Sequence, residues 1–507
     1  LGVCTRLRAE AKVIAFARLE PRGGIMFRRF ACLLALVFAA FPCGAQTMTN
    51  LVHQPPDGAL ITFQMTDGTV MAQGFGESDW YKLTPDNTGS YVNGTWSKLA
   101  NLPAGYQPLY FASAVLADGR LVIVGGEYNF DQFAFSNMGA VYDPKSNAWV
   151  MLDPPKGWLN VGDSPSAVLP DGRFLLGLKF KEKMAALDPS TLTWTALPSK
   201  KKNDFHAEEG WTLLPDGTIL TFDVKAHPRS ERYLPEKGKW VSAGDIPVEL
   251  RGPQNCCGRC IHVPPKNKCY DPPGEVGPGV LRPDGTVFAT GAIPDGETKA
   301  HSALWMPPTA GNRKGHWVAG PDFPNGDQAS DTYASLLPNG NVLVEASSGS
   351  LYEFDGVHLT RESFNGGGGA LMVLPTGEVL VGGRQVYKST GTYQAAWAPA
   401  ISSSPSTVTR GSTYQIAGTQ FNGLSQANSF GDEDETQTNY PLVRIKNNAT
   451  GHVFYARTHD HSTMGVATGS AIVSTNFDVP AGMETGASTL EVVANGIPSP
   501  AVAITVN

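Results

Sequence analysis

The chain has 507 residues, enough for two or three domains, with 56 glycines, 38 prolines and only 17% charged residues. Many short strands joined by tight turns give that balance, and long amphipathic helices do not. A formal net charge of −7 without a basic stripe excludes a nucleic-acid-binding surface.

In chain order, the first feature is the one long apolar run. Met26-Phe27-Arg28-Arg29 forms a basic segment, Ala31 to Phe41 an apolar one, and Cys43-Gly44-Ala45 a small-residue cleavage site. The run is too short to span a bilayer and reads as a secretory signal cleaved after Ala45, with lipidation at Cys43 as the alternative. No transmembrane segment is expected, and the mature chain is expected to be a secreted or periplasmic monomer. Residues 1–25 precede a suitable initiator methionine.

One element then recurs: an apolar run, a turn ending in Asp-Gly or a close variant, and a second apolar run. Its copies are Met65-Thr66-Asp67-Gly68, Leu116-Ala117-Asp118-Gly119, Leu169-Pro170-Asp171-Gly172 and Leu214-Pro215-Asp216-Gly217. Arg282-Pro283-Asp284-Gly285, Leu337-Pro338-Asn339-Gly340 and Leu374-Pro375-Thr376-Gly377 complete seven predicted hairpins. Most are followed by an aromatic or Leu, then Asp or Pro, then a Trp, as in Tyr142-Asp143-Pro144 with Trp149 and Leu187-Asp188-Pro189 with Trp194. This spacing predicts four-stranded blades whose Trp packs between neighbours. The pattern, with glycine pairs such as Gly125-Gly126 and Gly382-Gly383, resembles the kelch-type β-propellers.

Between the fourth and fifth hairpins stand Cys256, Cys257, Cys260 and Cys269. Two disulfides are expected in an exported chain, with a zinc site as the alternative. After Trp397 a linker-like Pro399–Pro405 stretch opens a run of short alternating strands, which suits an immunoglobulin-like sandwich. The predicted fold class is therefore all-β. Residues 1–45 form an upstream extension and signal peptide, 46–398 a seven-bladed propeller, and 399–507 the sandwich.

This architecture, with Leu442-Val443-Arg444 and Thr458-His459 in the last domain, resembles the galactose oxidase family. The resemblance implies one copper ion and a tyrosyl radical at the propeller axis, held by two tyrosines and two histidines, with one tyrosine bonded to a cysteine. Counting back from each turn, Tyr110 fills the tyrosine slot and His459 the histidine loop. Ala59 stands in the cysteine slot, and Ser330-Asp331 replace the Tyr-His pair. Copper–radical chemistry is therefore not expected to carry over.

The same slots in the other blades place Asp163, Glu208, Glu209, Glu275 and Asp331 near the axis, with His206 beside them and only glycine, Gly366 to Gly369, in the seventh blade. Such carboxylates call for a cation or for Arg and Lys partners, with Arg251 and Arg457 as candidates. An all-oxygen ring of Asp163, Glu208, Glu275 and Asp331 favours calcium. His206, His459, His461, Glu209 and Tyr110 are the catalytic candidates. The expected function is metal-assisted hydrolysis of a small ester, lactone or sugar derivative, by analogy with calcium-dependent propeller lactonases and esterases. The alternative is a non-catalytic propeller that binds glycans or an envelope partner, and a copper oxidase ranks third.

Overall fold

The seven turn glycines adopt left-handed backbone with φ between 75° and 89°, which a two-residue hairpin turn requires and which glycine tolerates without strain. The computed structural model describes residues 46–253, 261–263, 268–270 and 274–507. The expected leader, Cys256, Cys257 and Cys260 lie outside the described residues, and of Cys269 only its place in the strand Lys268–Tyr270 is described.

Each hairpin supplies the first two strands of an antiparallel meander, and seven such meanders stand among the described residues. The first runs Thr62–Gln64, Val70–Gln73, Trp80–Thr84 and Thr95–Lys98, and it shows the common gradient. Its first two strands are wholly buried and its fourth is mostly exposed. First strands touch in five of the seven neighbouring pairs of meanders, including the seventh with the first. The assembly is a seven-bladed β-propeller with its first strands lining a central channel. The seventh blade takes its fourth strand, Thr47–Asn50, from the start of the described chain, where it pairs with Gln385–Lys388. That pairing closes the ring and leaves no free edge between the first and last blades.

The tryptophans sit where the repeat predicts. Trp149 on the outer strand of blade two lies 5.2 Å from Trp80 of blade one, ring centre to ring centre. Trp317 of blade five donates to Ser230 Oγ of blade four at 2.7 Å. These contacts bury apolar area between blades, and the indole N–H groups of Trp149 and Trp317 are satisfied, by Ala100 O and Ser230 Oγ.

From Ala400 to Val506 the chain forms further strands around a core of their own that includes Val408, Ile416, Phe477, Leu490 and Ile504. These strands dock on the Asp-Gly ends of the blades. Thr458 N–H donates to Thr66 O at 3.0 Å, and Met464 N–H to Pro170 O at 3.0 Å. The His459–His461 loop is therefore at the opposite end of the inner strands from their leading residues. Residues 421–443 of this C-terminal part are buried throughout, and they run into the channel. Asn428–Ser429 pairs with the inner strand of blade six. Leu213 N–H of blade four donates to Gln426 Oε1, and Asp434 N–H donates to Phe111 O of blade two. At Gly210 a Cβ would stand 1.9 Å from Gly431 O, so only glycine lets this segment through.

Candidate functional site

The position seven residues before each turn has a common backbone signature. Tyr110, Glu208 and Asp331, in blades two, four and six, are left-handed with φ of 53°, 59° and 45°. The equivalent or neighbouring positions in blades three, five and seven are glycines in the same region, Gly162, Gly274 and Gly368. A kink at this point ends the inner strand and turns the side chain toward the channel mouth. Non-glycine residues held at positive φ mark sites where geometry is kept at a cost in strain.

The kinked residues surround a cavity of about 1060 Å³ open at the mouth. Its floor is the tip of the channel segment, Phe430 to Asp434, and Asp163, Glu208, Glu275 and Asp331 stand around it. Lys179, 3% exposed, lies among them. Its ammonium bonds to Asp163, stands 2.7 Å from Glu208 Oε1 and lies 4.0 Å from Asp432 Oδ2. These three carboxylates are close enough together to hold a metal ion, and Lys179 is the cation at their centre. Arg251 and Arg457 are elsewhere: Arg251 faces Glu249, and Arg457 pairs with Asp478. The internal counter-charge is therefore a lysine that the sequence reading passed over.

Burial and mutual repulsion raise most of these acids. Burial pushes Glu208 up to about 7 against the pull of Lys179, and Asp434 up to about 7 although Tyr333 Oη donates to it at 2.9 Å. Asp163, Glu275 and Glu433 are driven well above the carboxylate range, by burial first and by neighbouring acids second. Lys179 is held well above its ordinary value by the acids around it, which outweigh its burial. One wall is aromatic. Tyr110 lies 6.1 Å from Tyr128, and edge contacts continue through Phe133, Phe135 and Phe180. The hairpin carrying Tyr128 and Phe133 turns at Phe130 and Asp131, both at φ of 55°.

The cavity thus brings together Tyr110, Asp163, Glu208, Glu275 and Asp331. The other candidates stand apart from it. His206 is fully buried against Trp211 and Trp240, at 5.4 and 5.8 Å, and burial holds its pKa well below the usual imidazole value. Glu209, adjacent in sequence to Glu208, points the other way and meets Lys202 at 2.9 Å. His459 is held at the docking face by Asp460 and Asp478, at 2.7 and 3.1 Å. His461 is buried there, its ring parallel to Tyr440, and burial lowers its pKa to about 3. None of the described residues lining the cavity is a histidine or cysteine, so phenols and carboxylates are the donors offered. That donor set does not fit a copper–radical centre.

Over 132 residues the chain is 26% identical to the Kelch-like protein terF of Aspergillus terreus (strain NIH 2624 / FGSC A1156). The aligned part is 24% of this chain and spans 28% of that protein. The chain is a kelch-like β-propeller.

No family model matches this propeller. Among solved structures, a fungal alcohol oxidase of the AA5 family, described in complex with copper, is 13% identical. It covers 92% of this propeller chain and 100% of its own, with a TM-score of 0.48. Virginiamycin B lyase of Staphylococcus aureus is 10% identical and covers 68% of this chain and 99% of its own, with a TM-score of 0.44. Among the described residues no helix is long and apolar enough to cross a membrane.

Lys179, Glu127 and Asp432 to Asp434 are the site residues that sequence reasoning missed. A signal existed for the acids: Phe421 to Tyr440 contains four consecutive acidic residues and no Lys or Arg.

Proposed function

We propose that the channel-mouth cavity is the active site of an exported hydrolase acting on a small ester, lactone or sugar derivative by acid–base chemistry. The observation that carries this is the pair of carboxyls, Glu208 and Asp434, that titrate near neutrality in one cavity beside a buried ammonium. A group with a pKa near the working pH is suited both to accept and to donate a proton. One carboxylate takes a proton from water as water adds to the carbonyl or anomeric carbon. The other carboxyl gives a proton to the leaving oxygen. Lys179 stabilises negative charge developing on the substrate, the role that a metal would otherwise take.

Calcium is the competing arrangement. Oxygen ligands suit it, but a calcium ion among Asp163, Glu208 and Asp432 would have to displace the Lys179 ammonium. Assays on aryl esters, lactones and aryl glycosides, with and without added calcium, separate the two forms. Turnover independent of calcium supports the lysine form, and calcium-dependent turnover restores the metal-assisted one. Glu208→Gln and Asp434→Asn are each expected to lower kcat by about 10²-fold or more. Unchanged rates in both would overturn the acid–base reading. Export rests on the segment Met26–Ala45, and N-terminal sequencing of protein recovered outside the cytoplasm checks it.

A glycan-binding role without turnover is the second reading. It is favoured by apolar rings near the cavity mouth, with Phe75 53% and Tyr110 41% exposed, since sugars stack on such faces. Binding on a glycan array with no turnover of any substrate would select it.

A further inference from the structure

The cavity carries a charge imbalance that its described residues do not correct. Carboxyl groups from five blades and the channel segment line it, against the cationic side chains Lys179 and Arg384. Lys179 is already engaged by Asp163 and Glu208, and Arg384 lies 5.3 Å from the centre of the Phe75 ring. Four carboxylate oxygens on residues lining the cavity, Asp163 Oδ1, Asp432 Oδ2, Glu433 Oε2 and Asp434 Oδ1, have no hydrogen-bond partner among the described residues, although those residues are 5%, 2%, 5% and 6% exposed. Asp331 stands exposed at the mouth, with no ion pair among the described residues. The rings of Tyr110, Tyr128, Phe135 and Phe180 line the same cavity.

Each class of ligand meets this surface differently. An anion is repelled by it. A neutral sugar finds the aromatic wall but leaves the acids crowded and partly protonated. A cation answers both surfaces, because a ring face is negative and carboxylates gain an opposite charge in a partly dehydrated site. We propose that the ligand carries an organic ammonium group, as an amino sugar or another amine-bearing substrate does, seated between Asp331, Glu275 and Glu208 and the Tyr110–Tyr128 wall. The proposal rests on the cavity being the working site, as argued above, and not on hydrolysis occurring there.

Calorimetric titration of the full chain tests it with three probes: a β-1,4-linked glucosamine disaccharide, its N-acetylated counterpart, and choline. The amine disaccharide is expected to bind at least about tenfold more tightly than the acetylated one at low salt, with choline competing. The preference is expected to shrink as salt rises. Asp331→Asn, which keeps a residue tolerant of positive φ, is expected to weaken the amine several-fold and leave the acetylated sugar unchanged. Equal affinities, tighter binding of the acetylated sugar, or no binding of the amine overturns the proposal. Turnover reports separately on the hydrolase reading. Amine binding without turnover keeps this inference and removes hydrolysis, and turnover of neutral esters with no amine preference does the reverse.

Discussion

Lys179 and Lys202 are both buried, both surrounded by carboxylates, and separated by a single outer hairpin of blade three. The Lys202 side chain is 0% exposed and meets Asp204, Glu209, Glu231 and Asp223 at 2.8, 2.9, 3.1 and 3.4 Å. Backbone N–H groups complete that cluster, Asn203 donating to Glu231 and Ala226 to Asp204, and Trp240 covers the ammonium. Neither Lys202 nor Glu209 lines the cavity, whereas Lys179 opens onto it. The chemistry of the two clusters is nearly the same, and only the open space beside one of them differs. Perturbed acids therefore do not identify a site by themselves, since a sealed structural cluster perturbs them just as strongly.

The largest effect expected is on removing the sealed charge. Lys202→Met leaves four carboxylates facing one another without a cation and should cost roughly 3–5 kcal/mol, read by denaturant unfolding. Lys179→Met leaves three, but these can take up protons and water from the cavity, so the stability loss should be smaller. Its activity loss should be the larger of the two, about 10²-fold or more on any substrate the wild type turns over. If Lys179→Met unfolds as readily as Lys202→Met and retains activity in what stays folded, the contrast between the clusters is wrong.

How far the sequence carries this contrast differs between fold and site. Seven turns with a left-handed glycine and the Trp on the outer strands of five blades are local features, repeated, and they were legible because each blade solves the same packing problem. Tyr110, Asp163, Glu208, Glu275 and Asp331 were legible by counting from those turns. Lys179 was not, because it lies in the loop after the second strand of its blade, where no repeat fixes a position. Asp432 to Asp434 were not either, since they reach the channel from the C-terminal strands, outside the blade repeat. The copper-enzyme resemblance pointed to the His459 loop as the segment that enters the channel. The enclosed segment is instead the one with no basic residue, and His459 stays at the docking face. Glu209 shows the limit of counting by one: its neighbour Glu208 is kinked, so the two side chains diverge into different clusters.

The pH dependence of stability sharpens the comparison further. Glu208 and Asp434 in the cavity, and Glu231 in the sealed cluster, are each raised to about 7 in the folded protein. A folded-state pKa above the unfolded one means that these groups bind protons more tightly when folded. Their contribution is fully present below the unfolded value near 4 and is lost as pH rises through 7. The Tm should therefore rise as pH falls from 8 to about 5, against the usual direction for carboxylates. Glu208→Gln removes one such group and should stabilise the protein at pH 8 by on the order of 1 kcal/mol or more, a gain that shrinks as pH falls and vanishes below about 4. A Tm that falls over this window would show that the acids are ionised and that a further cation balances them.

The smallest effect expected is at His459, and it separates the docking face from the cavity most cleanly. Its ring nitrogens meet Asp460 and Asp478 at 2.7 and 3.1 Å, and Asp478 is also bound by Arg457. Replacing the ring by His459→Asn removes one member of a partly exposed ion-pair network, which is worth about 1 kcal/mol or less. Turnover and ligand affinity should be unchanged, because no atom of that network borders the cavity. A histidine that enters the channel as a catalytic group would instead cost orders of magnitude in kcat at unchanged stability. Measuring both quantities on the same preparation therefore decides whether the end of the blades that meets the C-terminal strands takes any part in the chemistry at the other.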